Sequence, residues 1–336
     1  MSAAIRSIGI YVPERQVPNQ YFETIPDTSD ERTSSRTGTL CTTAKPTTMI
    51  KRKFLTGLML LFVTTSVING ACQPASAGKA DKKANAPVIR PGFQKYFKEC
   101  QVNGAIVIYD NAKARWIVSD TVATKKATQP ASTFKVINLL IALETQTIPD
   151  ENYIVKWPGW TDTAKYGYRP DIYHDISVKE AFEVSAGWAF VELAKKIGRD
   201  RYKKYLTACG YGNGNLSEKD ADFWNFGPFA ISPQNQVAFL KKVYDGNLPF
   251  SKRNLDILKK VMVTDTHPGY TIRSKTGWTR DKGINTGWWV GYITTKDNVY
   301  FFATRLLQDR KNNRADFGSC RKEITLAVLR DLAIIP

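Results

Sequence analysis

Two histidines, His174 and His267, are all that 336 residues contain. That scarcity argues against a histidine-rich zinc site and against a Ser-His-Asp triad. A catalytic base, if there is one, must be another residue type. Acidic residues are also few: 31 Asp+Glu face 48 Lys+Arg, a net charge of +17. The excess suits anionic partners, from nucleic acid to small acidic substrates. No nucleic-acid-binding motif accompanies it, so a basic nucleic-acid-binding protein is the weakest reading. The cysteines number five. Past the N-terminal segment only Cys100, Cys209 and Cys320 remain. An odd count argues against a disulfide framework, and three buried thiols with at most an incidental pair are expected. No internal repeat is visible. What the chain does have is apolar substance: 43% hydrophobic and 12% aromatic, enough for a sizeable core.

Composition shifts along the chain. Residues 1–48 carry equal numbers of basic and acidic residues, whereas 49–92 hold seven basic residues and one acid, Asp81. Met49 is followed by Lys51, Arg52 and Lys53, then by the apolar run FLTGLMLLFVTTSVI at 54–68. The run is shorter than the ~20 residues that span a bilayer, so residues 49–72 read as a secretory signal peptide. Two cleavage points compete. Cys72, after Gly70 and Ala71, would be a lipid-anchored terminus, while a cut after Ala77 would leave none. The expected location is therefore periplasmic or secreted, with or without a lipid anchor. Residues 73–90 are small, polar and Lys-rich and read as a linker. Residues 1–48 read as a leader outside any domain, and residues 91–336 as one catalytic domain of about 250 residues.

Along that domain, 104–110 (GAIVIYD) and 115–120 (RWIVSD) read as a hairpin. The stretch 133–145 (TFKVINLLIALET) is apolar on nearly all sides and predicts a central buried helix. Ser177 and Glu180 have capping-box spacing before another helix. That helix breaks at Ser185, Ala186 and Gly187, and further helices follow at 189–197, 201–209, 233–244 and 252–262. Strands resume at 271–275, 287–294 and 299–307, and a helix over 321–335 closes the chain. Strands, many helices, strands, helix predict an α+β fold: an antiparallel sheet of five to seven strands uniting both chain ends, flanked by helices, with a helical subdomain between.

Ser132 and Lys135 stand three apart at the start of the central helix and share a face. Exposed amides at a helix start favour developing negative charge. A lysine sunk among Phe134, Ile137 and Leu139 should have a depressed pKa, and a neutral amine could deprotonate Ser132. The spacing alone is weak, since Ser-x-x-Lys also occurs at 76–79 and 319–322 without an activating context. Ser185 lies in the break between two helices. It is either a polar helix stop or a hydroxyl that relays protons. Lys275, Thr276 and Gly277 end a late strand. Such a lysine is ordinarily a solvated edge charge, but it can form a cationic wall for a carboxylate, with Gly277 letting a ligand approach the backbone.

Ser-x-x-Lys at 132–135, a Ser-x-x element at Ser185 and Lys-Thr-Gly at 275–277, in this order, resemble the penicillin-recognising enzymes. STFK (132–135), YGN (211–213), FW (223–224) before Gly227 and Pro228, KTG (275–277) and GWWVG (287–291) narrow the resemblance to the class D (OXA-type) serine β-lactamases. The likeness runs from about residue 104 to the C-terminus. It implies hydrolysis of the β-lactam amide of penicillin-type antibiotics through an acyl-enzyme on Ser132. Lys135 would be carboxylated on its side chain by CO2 or bicarbonate and act as general base. Trp224 would donate its indole N–H to that group, and Ser185 would pass a proton to the leaving nitrogen. Ser132 and Trp278 would supply oxyanion-hole amides. Lys275, Thr276, Gly277, Trp278, Tyr211 and Arg321 would contact substrate. No metal and no other cofactor is implied, the partner is a small molecule, and the state is monomer or homodimer. Residues 5–38 separately resemble the N-terminus of β-ketoacyl-acyl-carrier-protein synthase III, which marks 1–48 as a fusion or mis-start scar.

Two departures from the class D pattern stand out. Gly187 replaces the usual Val of Ser-x-Val, and Asn225 replaces the Leu after the Trp. Val184 and Phe134 remain as apolar lining. A wetter lysine pocket would weaken carboxylation, so a bicarbonate-dependent enzyme is expected. The alternative is a sensor domain that is acylated but deacylates slowly. The membrane and protease region of such receptors is not in this sequence. A D,D-peptidase would show Ser-x-Asn, which Gly187 does not match.

Overall fold

The computed structural model describes residues 86–312 and 314–336. The leader, the signal segment with Cys72, and most of the linker lie outside the described residues. The end of the linker has structure: Val88–Ile89 forms β1. After α1 (Gln94–Glu99) come β2 (Asn103–Asp110) and β3 (Arg115–Val118). A 3-10 turn, Ala131–Phe134, leads into α2 (Lys135–Glu144). The helical part follows: a short strand pair β4 (Ile154–Val155) and β5 (Ile176–Ser177) encloses α3 (Thr163–Tyr166). Then come α4 (Val178–Glu183), α5 (Gly187–Ile197), α6 (Arg199–Cys209), α7 (Phe223–Phe226), α8 (Pro233–Asp245) and α9 (Lys252–Val261). The chain closes with β6 (Val263–His267), β7 (Tyr270–Asp281), β8 (Ile284–Thr295), β9 (Val299–Asp309) and α10 (Phe317–Asp331).

Seven strands form one sheet in the order β1-β3-β2-β9-β8-β7-β6. Every pair is antiparallel except β1 with β3. The join between the two ends of the domain is β2 with β9, where Ala105 faces Arg305. Strand alternation then sorts the core. Phe301 and Ala303 face the helical side, whereas Phe302 and Leu306 face α1 and α10. The expected α+β architecture is therefore present, with helices on both faces.

The centre of the helical side is α2, buried from Lys135 through Leu143. A helix apolar all round must be enclosed, and here α5 and α9 do the enclosing. Capping sets the ends of its neighbours. Ser177 Oγ accepts the Glu180 amide at 3.1 Å, Ser232 caps α8, and Gly210 ends α6 in a left-handed conformation.

The cysteine expectation allowed one incidental pair, and one is present. Cys100 at the end of α1 and Cys320 in α10 form a disulfide across 220 residues, and Cys209 is the buried free thiol. The leftover cysteine packs in the other core, on the far side of the sheet.

Candidate active site

The nucleophile turn sits where α2 meets the sheet. Ser132 belongs to the 3-10 turn and Lys135 opens the α-helix, so a tighter turn precedes the expected helix start. Ala131, just before the serine, has a φ of +52°. A left-handed conformation costs a non-glycine residue about 1–3 kcal/mol and persists only where its surroundings enforce it. One enforcing contact is Gly277 on β7. A Cβ there would stand 2.9 Å from Pro130 O and 3.1 Å from the Thr133 amide nitrogen. Gly277 was expected to let a ligand approach the backbone; it lines the cleft, and its missing side chain also makes room for the nucleophile turn.

The Lys135 side chain is 1% exposed, and its Nζ lies 2.9 Å from Ser132 Oγ. No carboxylate pairs with it among the described residues, and the Phe190 ring lies 5.2 Å away. Burial pushes its pKa down to about 7. A substantial neutral fraction then exists near neutrality, which makes this amine a base and a nucleophile.

Ser185 sits in the break between α4 and α5 with a φ of +62°, a second strained position after Ala131. The Lys275 ammonium donates to Ser185 Oγ at 3.0 Å and to Thr276 O at 3.2 Å. Lys275 is not a solvated edge charge. It is 4% exposed, on a strand covered at the sheet edge by β6. Burial, then the nearby Lys135, Arg321 and Lys322 charges, hold its pKa well below the ordinary lysine value.

Arg321, in the second turn of α10, donates from Nη1 to Gly277 O at 2.9 Å. Burial lowers its pKa to about 10, so it stays charged at neutral pH. Ser132, Ser185, Gly187, Asn225, Thr276, Gly277, Trp278 and Arg321 line one open cleft of about 350 Å³. Trp278 is 40% exposed at its rim and packs on Phe317, with its indole N–H given to Asn285. The opposite wall, with Lys165, Tyr166, Tyr168 and Arg169, was not foreseen. It comes from the segment around α3, a four-residue helix too short to show a periodic pattern.

Trp224 lies behind the cleft in α7. Its ring stacks on Phe134, centroids 4.8 Å apart and 9° from parallel. Its Nε1 is fully buried and has no hydrogen-bond partner among the described residues. A buried indole N–H normally has one. Tyr211 corrects an expectation. It is 1% exposed and does not line the cleft. Its hydroxyl faces Gln236, which donates to Thr133 Oγ1 at 2.8 Å, and its ring packs against Phe134 and Phe239. Tyr211 thus supports the nucleophile turn from the core instead of touching a ligand. Val184, expected as lining for the lysine, is exposed, whereas Phe134 is buried. Gly187 leaves open space: a Cβ would meet nothing within 4 Å.

Comparison with known proteins agrees with this geometry. The model of the penicillin-binding protein transpeptidase domain matches residues 101–330. The chain is 34% identical over 249 residues to β-lactamase OXA-2 of Salmonella typhimurium, covering 74% of this chain and 86% of that protein. It is 33% identical over 280 residues to β-lactamase OXA-48 of Klebsiella pneumoniae, covering 83% and 98%. The crystal structure of a class D β-lactamase from Sebaldella termitidis superposes with a TM-score of 0.70 at 36% identity, covering 75% of this chain and all of that one. A match of this extent, over a fold with a buried lysine held against a serine, means that the chain belongs to the class D serine β-lactamases.

Proposed function

We propose that the protein hydrolyses the β-lactam amide of penicillin-type antibiotics through an acyl-enzyme on Ser132. The observation that carries this is the 2.9 Å contact between Ser132 Oγ and a lysine whose pKa burial lowers to about 7. Attack on the lactam carbonyl needs the serine proton removed, and Lys135 is placed to take it. The carbonyl oxygen gains negative charge as the bond forms, and the backbone amides of Ser132 and Trp278 are the pair assigned to it. When the C–N bond breaks, the leaving nitrogen needs a proton, which Ser185 delivers and Lys275 replenishes across their 3.0 Å contact. The substrate carboxylate is held by Arg321, with Thr276 beside it in the cleft, while Lys275 stands behind Ser185 and does not line the cleft.

Lys135 is further proposed to carry a carboxyl group from CO2. The amine adds to CO2 and loses a proton, which only its neutral form can do. When bound, the group supplies a stronger base for Ser132 and then for the hydrolytic water. The residues present fit it. An N–H donor without a partner, Trp224 Nε1, is buried on a ring stacked against Phe134, the residue before Lys135, and no acid pairs with the lysine among the described residues. Export to an oxidising compartment is part of the same reading, and the Cys100–Cys320 disulfide supports it.

The test follows turnover of a chromogenic cephalosporin with and without bicarbonate, in the parent and in Lys135→Ala. Turnover in the parent and a loss of roughly 10²–10⁴-fold in the variant are expected. Stable acylation of Ser132 without turnover in the parent would instead make the protein a sensor.

A further inference from the structure

Asp222 is 1% exposed, and its carboxylate accepts hydrogen bonds from the Tyr166 hydroxyl and, at 3.3 Å, from Lys165 Nζ. Both donors belong to α3, the far wall of the cleft. Lys165 also reaches Asp220 at 2.8 Å. Asp222 immediately precedes α7. An aspartate there ordinarily turns its carboxylate onto the first amides of the helix. This one makes no such cap and faces α3 instead. Only its carbonyl joins the turn, accepting the Asn225 amide at 2.8 Å.

The other end of α7 is held as well. Thr279 of β7 donates to Asn225 O at 2.7 Å. A one-turn helix has little stability of its own. Its orientation is therefore set from outside, by α3 through Asp222 and by β7 through Thr279. The Tyr166 ring meets Phe226 edge-on at 5.8 Å, and Lys165 Nζ lies 4.8 Å from the centre of that ring. Between the two anchors sits Trp224, its indole N–H unpartnered. Burial, reinforced by the Asp222 carboxylate, raises the Tyr166 pKa far above the usual phenol range, so Tyr166 remains a donor.

We propose that Asp222 is a positioning residue: by tying α7 to the α3 wall it aims the Trp224 N–H at the group carried by Lys135. The inference rests on the carboxylated-lysine reading. Substrate wall and catalytic base then share one anchor, and loosening it should show first as poorer retention of CO2.

The experiment uses the parent, Asp222→Asn and Tyr166→Phe. Carbon-13 NMR after equilibration with labelled bicarbonate reads the carbamate, and activity against bicarbonate concentration reads its stability. In Asp222→Asn the bicarbonate giving half-maximal activity should rise about tenfold, as expected for weakening a hydrogen bond to a charged group. The carbamate signal should fade at ambient CO2 and return with excess bicarbonate, together with activity. Tyr166→Phe keeps the ring against Phe226 and should shift the same way by a smaller factor. It decides the matter if Asp222→Asn does not fold. A carbamate signal and bicarbonate requirement equal to the parent in the folded variants would overturn the role of Asp222. No carbamate in the parent would instead overturn the lysine reading beneath it.

Discussion

At the scale of single residues, one desolvated amine is the base in the proposed chemistry. With its pKa lowered to about 7, Lys135 sheds its proton in the folded protein over a window where the unfolded chain, at 10.5, keeps it. In the uncarboxylated protein, stability therefore rises with pH from about 7 to 10.5 and is lowest below 7, where a buried charge must be carried. The amine must also be neutral to take up CO2. The dissolved CO2 needed for half-maximal activity should rise at least roughly tenfold per pH unit below 7. A requirement that stays flat between pH 6 and 8 would refute this account. Gly187 offers a second test. Its open space admits a Val, and Gly187→Val should dry the lysine pocket and lower the bicarbonate requirement. An unchanged bicarbonate titration would show that Gly187 does not govern water access. Ser132 and Lys135 were legible from the sequence because apolar neighbours at a helix start declare a buried lysine, whereas the burial of Lys275 was not, since a strand-edge lysine reads as solvated. Tyr211 was not, since an aromatic motif shows burial without showing which side of the nucleophile it occupies.

At the scale of elements, the site is made by close approach of β7 to the turn before α2. Gly277→Ala would push Cβ to within 2.9 Å of Pro130 O and displace the turn that carries Ser132. Misplacement near 1 Å can cost about a hundredfold. The variant should lose about ten- to a hundredfold in kcat/KM while keeping its fold by circular dichroism, and full activity would show the contact to be tolerant. Elements with strong periodicity were readable: α2, β2, β8 and the capped α4 lie close to where the pattern puts them. The misses share a cause. α3 and α7 are single turns, and β6 is exposed along its length and has no apolar face to alternate. β7 was read as ending near Lys275, yet it continues to Asp281, because Gly277 marks an approach and not a stop.

At the scale of the whole molecule, the Cys100–Cys320 bridge fastens α1 to α10 beside Arg321. Closing so long a loop is worth about 2–4 kcal/mol. For a domain of this size each kcal/mol moves Tm by about 2–4 °C. Reduction, or Cys100→Ser with Cys320→Ser, should lower Tm by about 5–15 °C. It should raise KM more than it lowers kcat, because the residue after Cys320 is Arg321, the proposed grip on the substrate carboxylate. A KM equal to the parent's would separate the bridge from the site. The odd cysteine count could not announce this pair, since its halves lie 220 residues apart and meet only in the finished sheet.

The same sheet has a consequence for how the protein is made. β2 leaves the ribosome near the start of the domain, yet its partner β9 is the last of the domain's strands to follow. Until Val299–Asp309 arrives, β2 has one bare edge, α10 has not formed, and neither core can close. Pairing at such separation is slow. The growing domain is therefore kept from completing its fold until β9 has been made, and until then it stays threadable through a narrow channel.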